Sequence, residues 1–439
     1  MNRVIYAAFA ALLTACATTP SARTITATTS PAAGSIITPA AKARIDSTLR
    51  VYVASGSVAG ASALVWEKGR EVYFGAFGMA DREANRPMSR DVIAQIFSMT
   101  KPITGVALMQ LYEQGKFRLD DPLANYLPEF ANVRVYAGTD AAGAPRLEAP
   151  SRPITVADIT RHTAGFVTTP ADTGVGRTFR TAAPLARTNT ITQFAQRLAT
   201  VPLAFQPGTR WSYGISVDVQ AALVERLAGQ PFQQYVQQHI LDPLGMRETR
   251  WFVPESDRAR FAAIYRRDAN GSGVSHAPDS VAKAYNTNHW PLFTGASGLT
   301  STLDDYLRFA RMLLNGGELD GARILRPESI RLMATNHLPA TVRDSSFLPG
   351  KGQVGFGIDF AVRVAPPKSA EENNGVVGEF FWDGAASTLF WVDPTNQLTA
   401  VLFTQVMPFD SHLHKVFRDA VYGPIMTPTR TSSARSSAP

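Results

Sequence analysis

Apolar and polar positions follow two different periods along this chain. The stretch ASALVWEKGREVYFGAFGMAD (61–81) has two β-rich runs on either side of EKGRE, which predicts a hairpin with its turn near Lys68 and Gly69. The stretch GEFFWDGAASTLFWVDPTNQLTAVLFTQV (378–406) has two more such runs, separated by a turn at 392–396. We therefore predict strands at both ends of the main body.

The middle of the chain has a helical period instead. In SVDVQAALVERLAG (216–229), apolar residues recur at helical spacing and Gly229 is a stop signal. Further helices are predicted over AAKARIDSTLRVYVASG (40–56) and PITGVALMQLYEQG (102–115). This order predicts an α+β fold, in which both chain ends build one antiparallel sheet flanked by helices. A mainly helical subdomain is inserted at about residues 115–285.

The composition is typical of a soluble globular protein. Hydrophobic residues make up 45% of the 439 residues and charged residues 18%. Forty-three basic side chains stand against 36 acidic ones, giving a net charge of +7 without long runs of one sign. This dispersed charge argues against binding of nucleic acid. The seven histidines include no H-E-x-x-H pattern, so we predict neither a metal site nor a cofactor.

The N-terminal residues resemble an export signal. An apolar run at residues 4–13 is too short to span a membrane as a mature helix and predicts a signal peptide over 1–15. The only cysteine, Cys16, ends a Leu-Thr-Ala-Cys sequence that resembles the lipobox of bacterial lipoproteins. The resemblance implies a lipid anchor on Cys16, a membrane partner, and a Gram-negative periplasmic or outer-membrane location. An ordinary cleaved signal with a chance cysteine is the alternative.

Two segments outside the main body have the composition of unfolded chain. Residues 16–38 are rich in Thr, Ala and Ser with few large apolar side chains, which predicts a flexible tether. Residues 426–439 predict a disordered tail for the same reason. A single hydrolase-sized domain at 39–425 lies between the two segments.

Two serines stand three residues before a lysine, a spacing used by one class of serine acyl-transfer enzymes. Ser98 precedes the helix 102–115, so Lys101 shares one helical face with it and can take its proton. Pro102 restrains the residue before it, which predicts an irregular turn. Ser280 lies in a polar segment broken by glycines, for which we predict a loop. A helix cap with a solvated lysine is the alternative for Ser98.

The segment FSMTKPITGVALMQLYEQGKFRLDDPLANYLPEF, which contains Ser98, resembles the serine β-lactamase-like superfamily. This superfamily includes penicillin-binding proteins, and the segment is most similar to its esterase branch, the family VIII carboxylesterases, which are related to class C β-lactamases. Four later stretches agree: ITVADITRHTAGF, FQPGTRWSYGISVDVQAALVERLAG, DPLGMRETR and GASGLTSTLDDYLRFARMLLNGG. The resemblance covers about residues 40–425 and implies that Ser98 is the nucleophile, with Lys101 beside it.

The second motif of the superfamily, Y-x-N or Y-S-x, matches Tyr213-Gly214-Ile215. The tyrosine of this motif takes part in proton transfer, which the resemblance implies for Tyr213. A buried structural role is the alternative. Ile215 replaces the asparagine that binds a β-lactam side chain, so one polar contact for a β-lactam is missing. We interpret His162, in the HTAG block, as a packing or hydrogen-bonding residue.

The third motif, K-T-G or, in esterases, W-G-G, matches Trp382-Asp383-Gly384. The resemblance implies an oxyanion hole formed by the backbone N–H groups of Ser98 and Ala385. Trp382 replaces the lysine that binds a β-lactam carboxylate, and its ring can stack on an apolar acyl or alcohol group. Gly384 would let the backbone approach the substrate. Asp383 departs from W-G-G and would place a carboxylate at the mouth of the site.

These features predict a serine carboxylesterase that cleaves a small ester, with a short acyl chain or an aryl group, through an acyl-enzyme on Ser98. The replacements in the second and third motifs favour a neutral ester over a β-lactam. One alternative is an amide hydrolase of the same fold, either a β-lactamase or a D-amino-acid peptidase or carboxypeptidase. Another is a non-catalytic lipoprotein that binds cell-wall fragments or β-lactams. Asn286, His289 and Trp290 either line the pocket or belong to a surface loop.

Replacing Cys16 tests the lipoprotein interpretation. We expect bacteria grown with labelled palmitate to incorporate the label into the wild-type protein and not into Cys16→Ser, because lipidation needs the thiol. The label is measured on the immunoprecipitated protein, and Ser21→Ala in the predicted tether is the control that keeps it. An unlabelled wild type, or equal labelling of Cys16→Ser, contradicts the interpretation.

Overall fold

The computed structural model describes residues 34–141, 143–167, 174–271, 273–339, 342, 348 and 351–425. The predicted signal peptide, Cys16, the predicted tether up to residue 33 and the predicted tail lie outside these residues. Within the last residues assigned to the tether, the Ile36 amide donates a hydrogen bond to Glu67 at 2.5 Å and Ile37 is buried. The chain therefore already packs against the main body just before its first helix.

The strands confirm that both ends of the chain build one antiparallel sheet. In chain order they are β1 Gly60–Glu67, β2 Arg70–Asp81, β3 Arg86–Pro87, β4 Ala94–Gln95, β5 Val135–Thr139, β6 Pro145–Glu148, β7 Tyr265–Arg267, β8 Val274–His276, β9 Thr300–Ser301, β10 Glu318–Leu319, β11 Ala322–Arg323, β12 Val354–Phe356, β13 Ala361–Arg363, β14 Phe380–Asp383, β15 Leu389–Asp393, β16 Leu398–Thr404 and β17 Val406–Met407. Eight of them form the large sheet in the order β12-β13-β14-β15-β16-β1-β2-β3. Ala61 lies opposite Thr404, so the first strand pairs with one of the last.

The helices include the three that the sequence predicts. They are α1 Pro39–Ala54, α2 Thr100–Glu113, α3 Val156–Thr160, α4 Gly174–Ala182, α5 Ile191–Leu198, α6 Ser216–Ala228, α7 Phe232–Val236, α8 Asp279–Ala282, α9 Ala284–Thr287, α10 Leu303–Leu314, α11 Pro327–Met333 and α12 Ser411–Tyr422. Gly229 ends α6 with a φ of +66°, the left-handed geometry expected of a helix stop. No helix in these described ranges is both long and apolar enough to cross a bilayer.

Helices cover both faces of the large sheet. Phe390 and Trp391 are neighbours on β15, are both fully buried, and point to opposite faces because strand side chains alternate. The ring of Phe390 contacts Tyr306 of α10, whereas the ring of Trp391 contacts Phe417 of α12. The central strands are therefore apolar on both sides, which explains their unbroken hydrophobic runs.

Two local predictions were wrong. The first C-terminal run, predicted as one strand, contains both β14 and β15, because a turn separates them. In that turn the Gly384 amide donates to the Thr388 carbonyl at 2.9 Å and Ser387 has a φ of +64°. The segment around Ser280, predicted as a loop, contains the short helix α8. Both differences concern segments of only a few residues, which are too short for apolar periodicity to predict.

A buried charge cluster joins the large sheet to the C-terminal helix. Glu379, next to β14, accepts hydrogen bonds on one oxygen from Arg363 of β13 at 2.9 Å and from Arg418 of α12 at 2.8 Å. All three side chains are completely buried. Because an uncompensated charge is costly inside a protein, the carboxylate is needed to keep both guanidinium groups there.

Removing this carboxylate should destabilise the fold. We expect Glu379→Gln to lower the free energy of unfolding by about 3–5 kcal/mol, because two buried cations lose their shared counter-charge. Urea unfolding of wild type and variant measures the difference. The matched control is Glu328→Gln, which removes an exposed ion pair with Arg331 and should leave the unfolding midpoint unchanged. Equal midpoints for Glu379→Gln and wild type would contradict this account.

Candidate active site

Ser98 lies where a tight turn runs into a long buried helix. The 3₁₀ turn Phe97–Met99 continues directly into α2. Phe97 has a φ of +44°, an unfavourable conformation for a residue with a bulky side chain. The hydroxyl of Tyr306 donates to the Met99 carbonyl at 2.8 Å and holds the turn against α10. The surrounding structure thus stabilises a strained backbone and presents Ser98 at the start of α2.

Lys101 is buried beside this serine. Its Nζ donates hydrogen bonds to Ser98 Oγ at 3.0 Å and to the Ala296 carbonyl at 2.8 Å, and it lies 4.5 Å from the centre of the Tyr213 ring. Pro102 lies in the first turn of α2 and does not interrupt it. The irregularity that we predicted there is the 3₁₀ turn immediately before the helix. An amine that contacts the serine oxygen is placed to take its proton.

Tyr213 is held beside Lys101 by aromatic neighbours. Its hydroxyl accepts a hydrogen bond from Trp382 Nε1 at 3.2 Å. Its ring stacks on Trp211 and contacts His162, with ring centres 5.9 Å and 4.9 Å away. The side chain is nevertheless 38% exposed, so it also faces the solvent-filled side of the site. The structure therefore brings the predicted second-motif tyrosine to the Ser98–Lys101 pair.

Two backbone N–H groups are available next to the serine hydroxyl. Ser98 and Ala385 line the same cavity, and neither backbone amide donates a hydrogen bond to any residue that the structure describes. A Cβ at Gly384 would lie 2.5 Å from the Ile96 carbonyl oxygen and 2.2 Å from Thr388 Oγ1. Only a glycine lets the end of β14 approach the segment before the nucleophile this closely. Such paired donors suit a developing oxyanion.

The other predicted substrate-binding residues lie in different places. Ile215 lines the cavity that contains Ser98. Trp382 is almost fully buried and reaches the site through its bond to Tyr213. Asp383 follows it on β14, so its side chain points to the other face of the sheet, where it pairs with Lys351. The structure does not bring Asp383 to the described lining of the cavity.

Asp218 is a site residue that the sequence analysis missed. It lies in the first turn of α6, and its carboxylate accepts a hydrogen bond from the Ala296 N–H at 2.9 Å. The carbonyl of Ala296 in turn accepts the hydrogen bond from Lys101. Burial raises the pKa of Asp218 to about 6, against the opposing effects of this hydrogen bond and of the Lys101 charge. One signal was present: Asp218 and Gln220 interrupt the apolar positions of α6.

Two more ionisable side chains are buried near Lys101. Asp359 accepts a hydrogen bond from Gln220 Nε2 at 2.9 Å and packs against Gly105 of α2. Burial raises the pKa of Asp359 well above its ordinary value, despite the opposing effect of Lys101. Burial lowers the pKa of His162 well below its ordinary value, and Lys101 adds to this shift. Burial thus shifts both groups toward their neutral forms, as it does for Asp218.

The second serine–lysine pair is not assembled. Ser280 is exposed on α8. Lys283 donates a hydrogen bond to Asp279 at 2.8 Å and lies 4.0 Å from Asp81. Because these two carboxylates hold the ammonium group, it does not serve Ser280. The structure joins serine and lysine at Ser98 and Lys101.

The three residues predicted as either pocket-lining or surface residues lie beside the cavity of Ser98, not in its described lining. Asn286 lines a neighbouring cavity, and its amide donates to two backbone carbonyls, at 2.9 Å and 2.6 Å. His289 stacks on Phe252 with ring centres 3.9 Å apart. Trp290 lies below the guanidinium group of Arg187. Asn286 is therefore buried in a wall, Trp290 is partly buried and His289 is exposed.

The cavity that contains Ser98 and Lys101 has a volume of about 380 Å³. This is enough for a small molecule. Its walls combine a serine, an amine in contact with it, a tyrosine and two unbonded backbone N–H groups, which are the parts needed for acyl transfer. No group of three or more His, Cys, Asp or Glu side chains suited to a metal ion occurs among the residues described here.

Comparisons with known proteins agree with this geometry. The family model described as Beta-lactamase matches residues 45–421. Protein Rv1367c of Mycobacterium tuberculosis is 35% identical over 372 residues, which cover 82% of this chain and 89% of that protein. Esterase EstB of Burkholderia gladioli is 30% identical over 416 residues, covering 89% and 98%. The structure of EstCE1, a hydrolase with promiscuous acyltransferase activity, is 26% identical with a TM-score of 0.70, covering 88% and 99%.

The fold and the matches define a hydrolase of the serine β-lactamase-like superfamily, with the fold shared by β-lactamases and penicillin-binding proteins. The chain belongs to the Beta-lactamase family. This family assignment confirms the resemblance found in the sequence, because the match spans nearly all of the segment from 40 to 425.

The buried Asp218 should give the stability of the fold a pH dependence that an amide lacks. Its pKa is about 6 in the folded chain and about 4 in an unfolded one, so the folded state holds the proton more tightly. The contribution of Asp218 to the free energy of unfolding therefore falls as the pH rises, by about 2 kcal/mol between pH 4 and 6 and by about 3 kcal/mol over the whole titration.

Comparing wild type with Asp218→Asn isolates this contribution, because the other titrating groups are common to both proteins. We expect the free energy of unfolding of the Asn variant to rise relative to that of wild type as the pH rises through this window. A pH-independent difference between the two proteins does not affect this trend. Urea unfolding at several pH values between 4 and 7 measures the difference. A difference that is independent of pH, or that changes in the opposite direction, would contradict the assignment.

Proposed function

We propose that this protein is a serine carboxylesterase that works through an acyl-enzyme on Ser98. The observation that carries the proposal is the contact of the buried Lys101 Nζ with Ser98 Oγ at 3.0 Å, at the base of a cavity that also contains Tyr213 and Ala385. The esterase relatives of the chain support the same reaction class.

In this mechanism, Ser98 Oγ attacks the ester carbonyl while its proton passes to Lys101 and Tyr213, which act as one unit. The N–H groups of Ser98 and Ala385 stabilise the oxyanion of the tetrahedral intermediate. The proton then goes to the departing alcohol oxygen, which leaves the acyl group on Ser98. A water molecule attacks this acyl-enzyme and gives its proton to the same pair, which passes it to Ser98 Oγ as the carboxylic acid leaves.

The chemistry of the walls favours an ester over a β-lactam. Ile215 offers no amide to a β-lactam side chain, and Trp382 stands where a lysine would bind the β-lactam carboxylate. Lys351 is near Trp382, with its ammonium group 5.6 Å from the ring centre, but it pairs with Asp383. The third motif therefore has an aromatic residue in place of the lysine, and the nearby Lys351 is already paired with Asp383 on the other face of the sheet.

A substrate panel tests the proposal. We expect purified protein to hydrolyse p-nitrophenyl acetate, butyrate and octanoate with kcat/KM well above that for a chromogenic cephalosporin. Ser98→Ala should lose ester turnover by about three orders of magnitude or more, and Lys101→Ala by roughly 10²- to 10⁴-fold. Kinetic assays and intact-mass detection of an acylated Ser98 measure these effects.

Ser280→Ala is the matched control and should retain wild-type turnover, because its hydroxyl is exposed and unpaired with Lys283. Cephalosporin turnover above ester turnover would replace the esterase proposal by an amide hydrolase. A long-lived adduct without turnover would favour a binding protein. Turnover that survives in Ser98→Ala would overturn the assignment of the nucleophile.

We also propose that the protein is exported and anchored to a membrane surface through lipid on Cys16. The apolar N-terminal run and the position of the single cysteine support this location. The palmitate-labelling experiment tests it independently of the enzyme activity.

A further inference from the structure

Arg187 is an arginine without an anionic partner beside the candidate active site. It lies in the segment between α4 and α5 and lines the cavity of Ser98. Its guanidinium carbon is 5.1 Å from the ring centre of Tyr285 and 5.4 Å from that of Trp290. Among the described residues, its side chain forms no ion pair and no hydrogen bond. All of its N–H donors are therefore available to a ligand.

The aromatic support of Arg187 is itself fixed. Tyr285 shares a hydrogen bond between its hydroxyl and Thr294 Oγ1 at 2.8 Å, and Trp290 Nε1 donates to the Ala284 carbonyl at 3.2 Å. A guanidinium group that rests on two held rings keeps its planar fork in place at little entropic cost. This arrangement suits the planar, two-oxygen geometry of a carboxylate.

A second cavity, of about 320 Å³, adjoins the cavity of Ser98 at this point. The two share Phe97, Arg187, Tyr285 and Ser297 in their walls. The second cavity also contains Arg266 of β7, whose side chain forms no ion pair with a described residue. A ligand bound at Ser98 can therefore extend past Arg187 toward a second arginine.

The charges around the two cavities are unbalanced. Lys101, Arg187 and Arg266 line them, whereas Asp218 is the one carboxyl in their described walls. That carboxyl is buried and already accepts the Ala296 N–H. Basic side chains therefore outnumber acidic ones in the described walls of the two cavities, which favours the entry of an anionic group.

We propose that Arg187 forms an anion subsite and that the preferred substrates are esters which carry a carboxylate. This inference rests on the proposed esterase function and specifies its substrate class. The carboxylate binds to Arg187, at the junction with the second cavity, while the ester carbonyl lies at Ser98. Anion recognition thus lies on the Tyr285 side of the site and not at the third motif, where Trp382 has replaced the lysine.

Matched charged and neutral esters test the subsite. One pair is mono-p-nitrophenyl adipate and its methyl ester, with the charge on the acyl side. The other pair is 4-carboxyphenyl butyrate and its methyl ester, with the charge on the alcohol side. We expect the ratio of kcat/KM for charged over neutral substrate to exceed one in at least one pair. Arg187→Ala should lower that ratio roughly 10- to 100-fold, the range for a lost charge-assisted hydrogen bond.

Two further variants test whether a change in the ratio is specific to the guanidinium group of Arg187. Arg187→Lys should give an intermediate value, because it keeps the charge without the planar fork. Arg70→Ala removes the same charge from the exposed turn end of the β1–β2 hairpin and should leave the ratio unchanged. An equal fall for charged and neutral esters in Arg187→Ala, or an equal change in Arg70→Ala, would overturn the subsite.

Calorimetry separates the failure of the subsite from failure of the esterase proposal. Monoethyl adipate is titrated into Ser98→Ala and into Ser98→Ala/Arg187→Ala, and we expect the Kd to rise roughly tenfold or more in the double variant. Arg187-dependent binding without ester turnover in wild type would keep the subsite and overturn the esterase. Ester turnover would keep the esterase, and the subsite would be overturned if Arg187→Ala changed neither the charged-to-neutral ratio of kcat/KM nor the Kd of monoethyl adipate.

Discussion

The hydrogen bonds of one buried lysine side chain hold the candidate site together. Lys101 Nζ donates hydrogen bonds to Ser98 Oγ, in the turn just before its own helix, and to the Ala296 carbonyl, in a segment nearly two hundred residues later. Asp218 binds the amide of that same segment, and Thr104 donates to its Gly295 carbonyl at 2.8 Å. The helices α2 and α6 therefore meet at one short peptide segment. The position of the Lys101 amine beside Ser98 depends on that meeting.

The large sheet supplies the other half of the site. Its strand β14 ends beside the segment that leads into Ser98 because Gly384 has no side chain to keep the Ile96 carbonyl away. Because Gly384 approaches the Ile96 carbonyl so closely, Ser98 and Ala385 line the same cavity. Asp383, one residue earlier, is committed to the opposite face and to Lys351. The end of this strand thus places a backbone N–H donor on one side of the sheet and a buried ion pair on the other.

The sequence predicted those parts of the site that are encoded locally. Ser98 and Lys101 are three residues apart at the start of a periodic apolar helix, so their contact follows from helical geometry. Asp218 and Arg187 were missed because the groups that they contact are distant in sequence. The prediction that Asp383 lies at the mouth of the site was wrong, because a sequence motif identifies the residue but not the face of the strand on which its side chain lies. The broad fold was predictable because strand periodicity is strong at both chain ends.

The pairing of β1 with β16 has a consequence for when this protein can act. The serine hydroxyl belongs to the first quarter of the chain, whereas the Ala385 amide belongs to its last eighth. The register that joins them, with Ala61 opposite Thr404, requires almost the whole polypeptide. Contacts this far apart in sequence form late in folding. A growing chain therefore lacks the Ala385 amide beside Ser98, and the candidate site is complete only once nearly the whole chain has been synthesised.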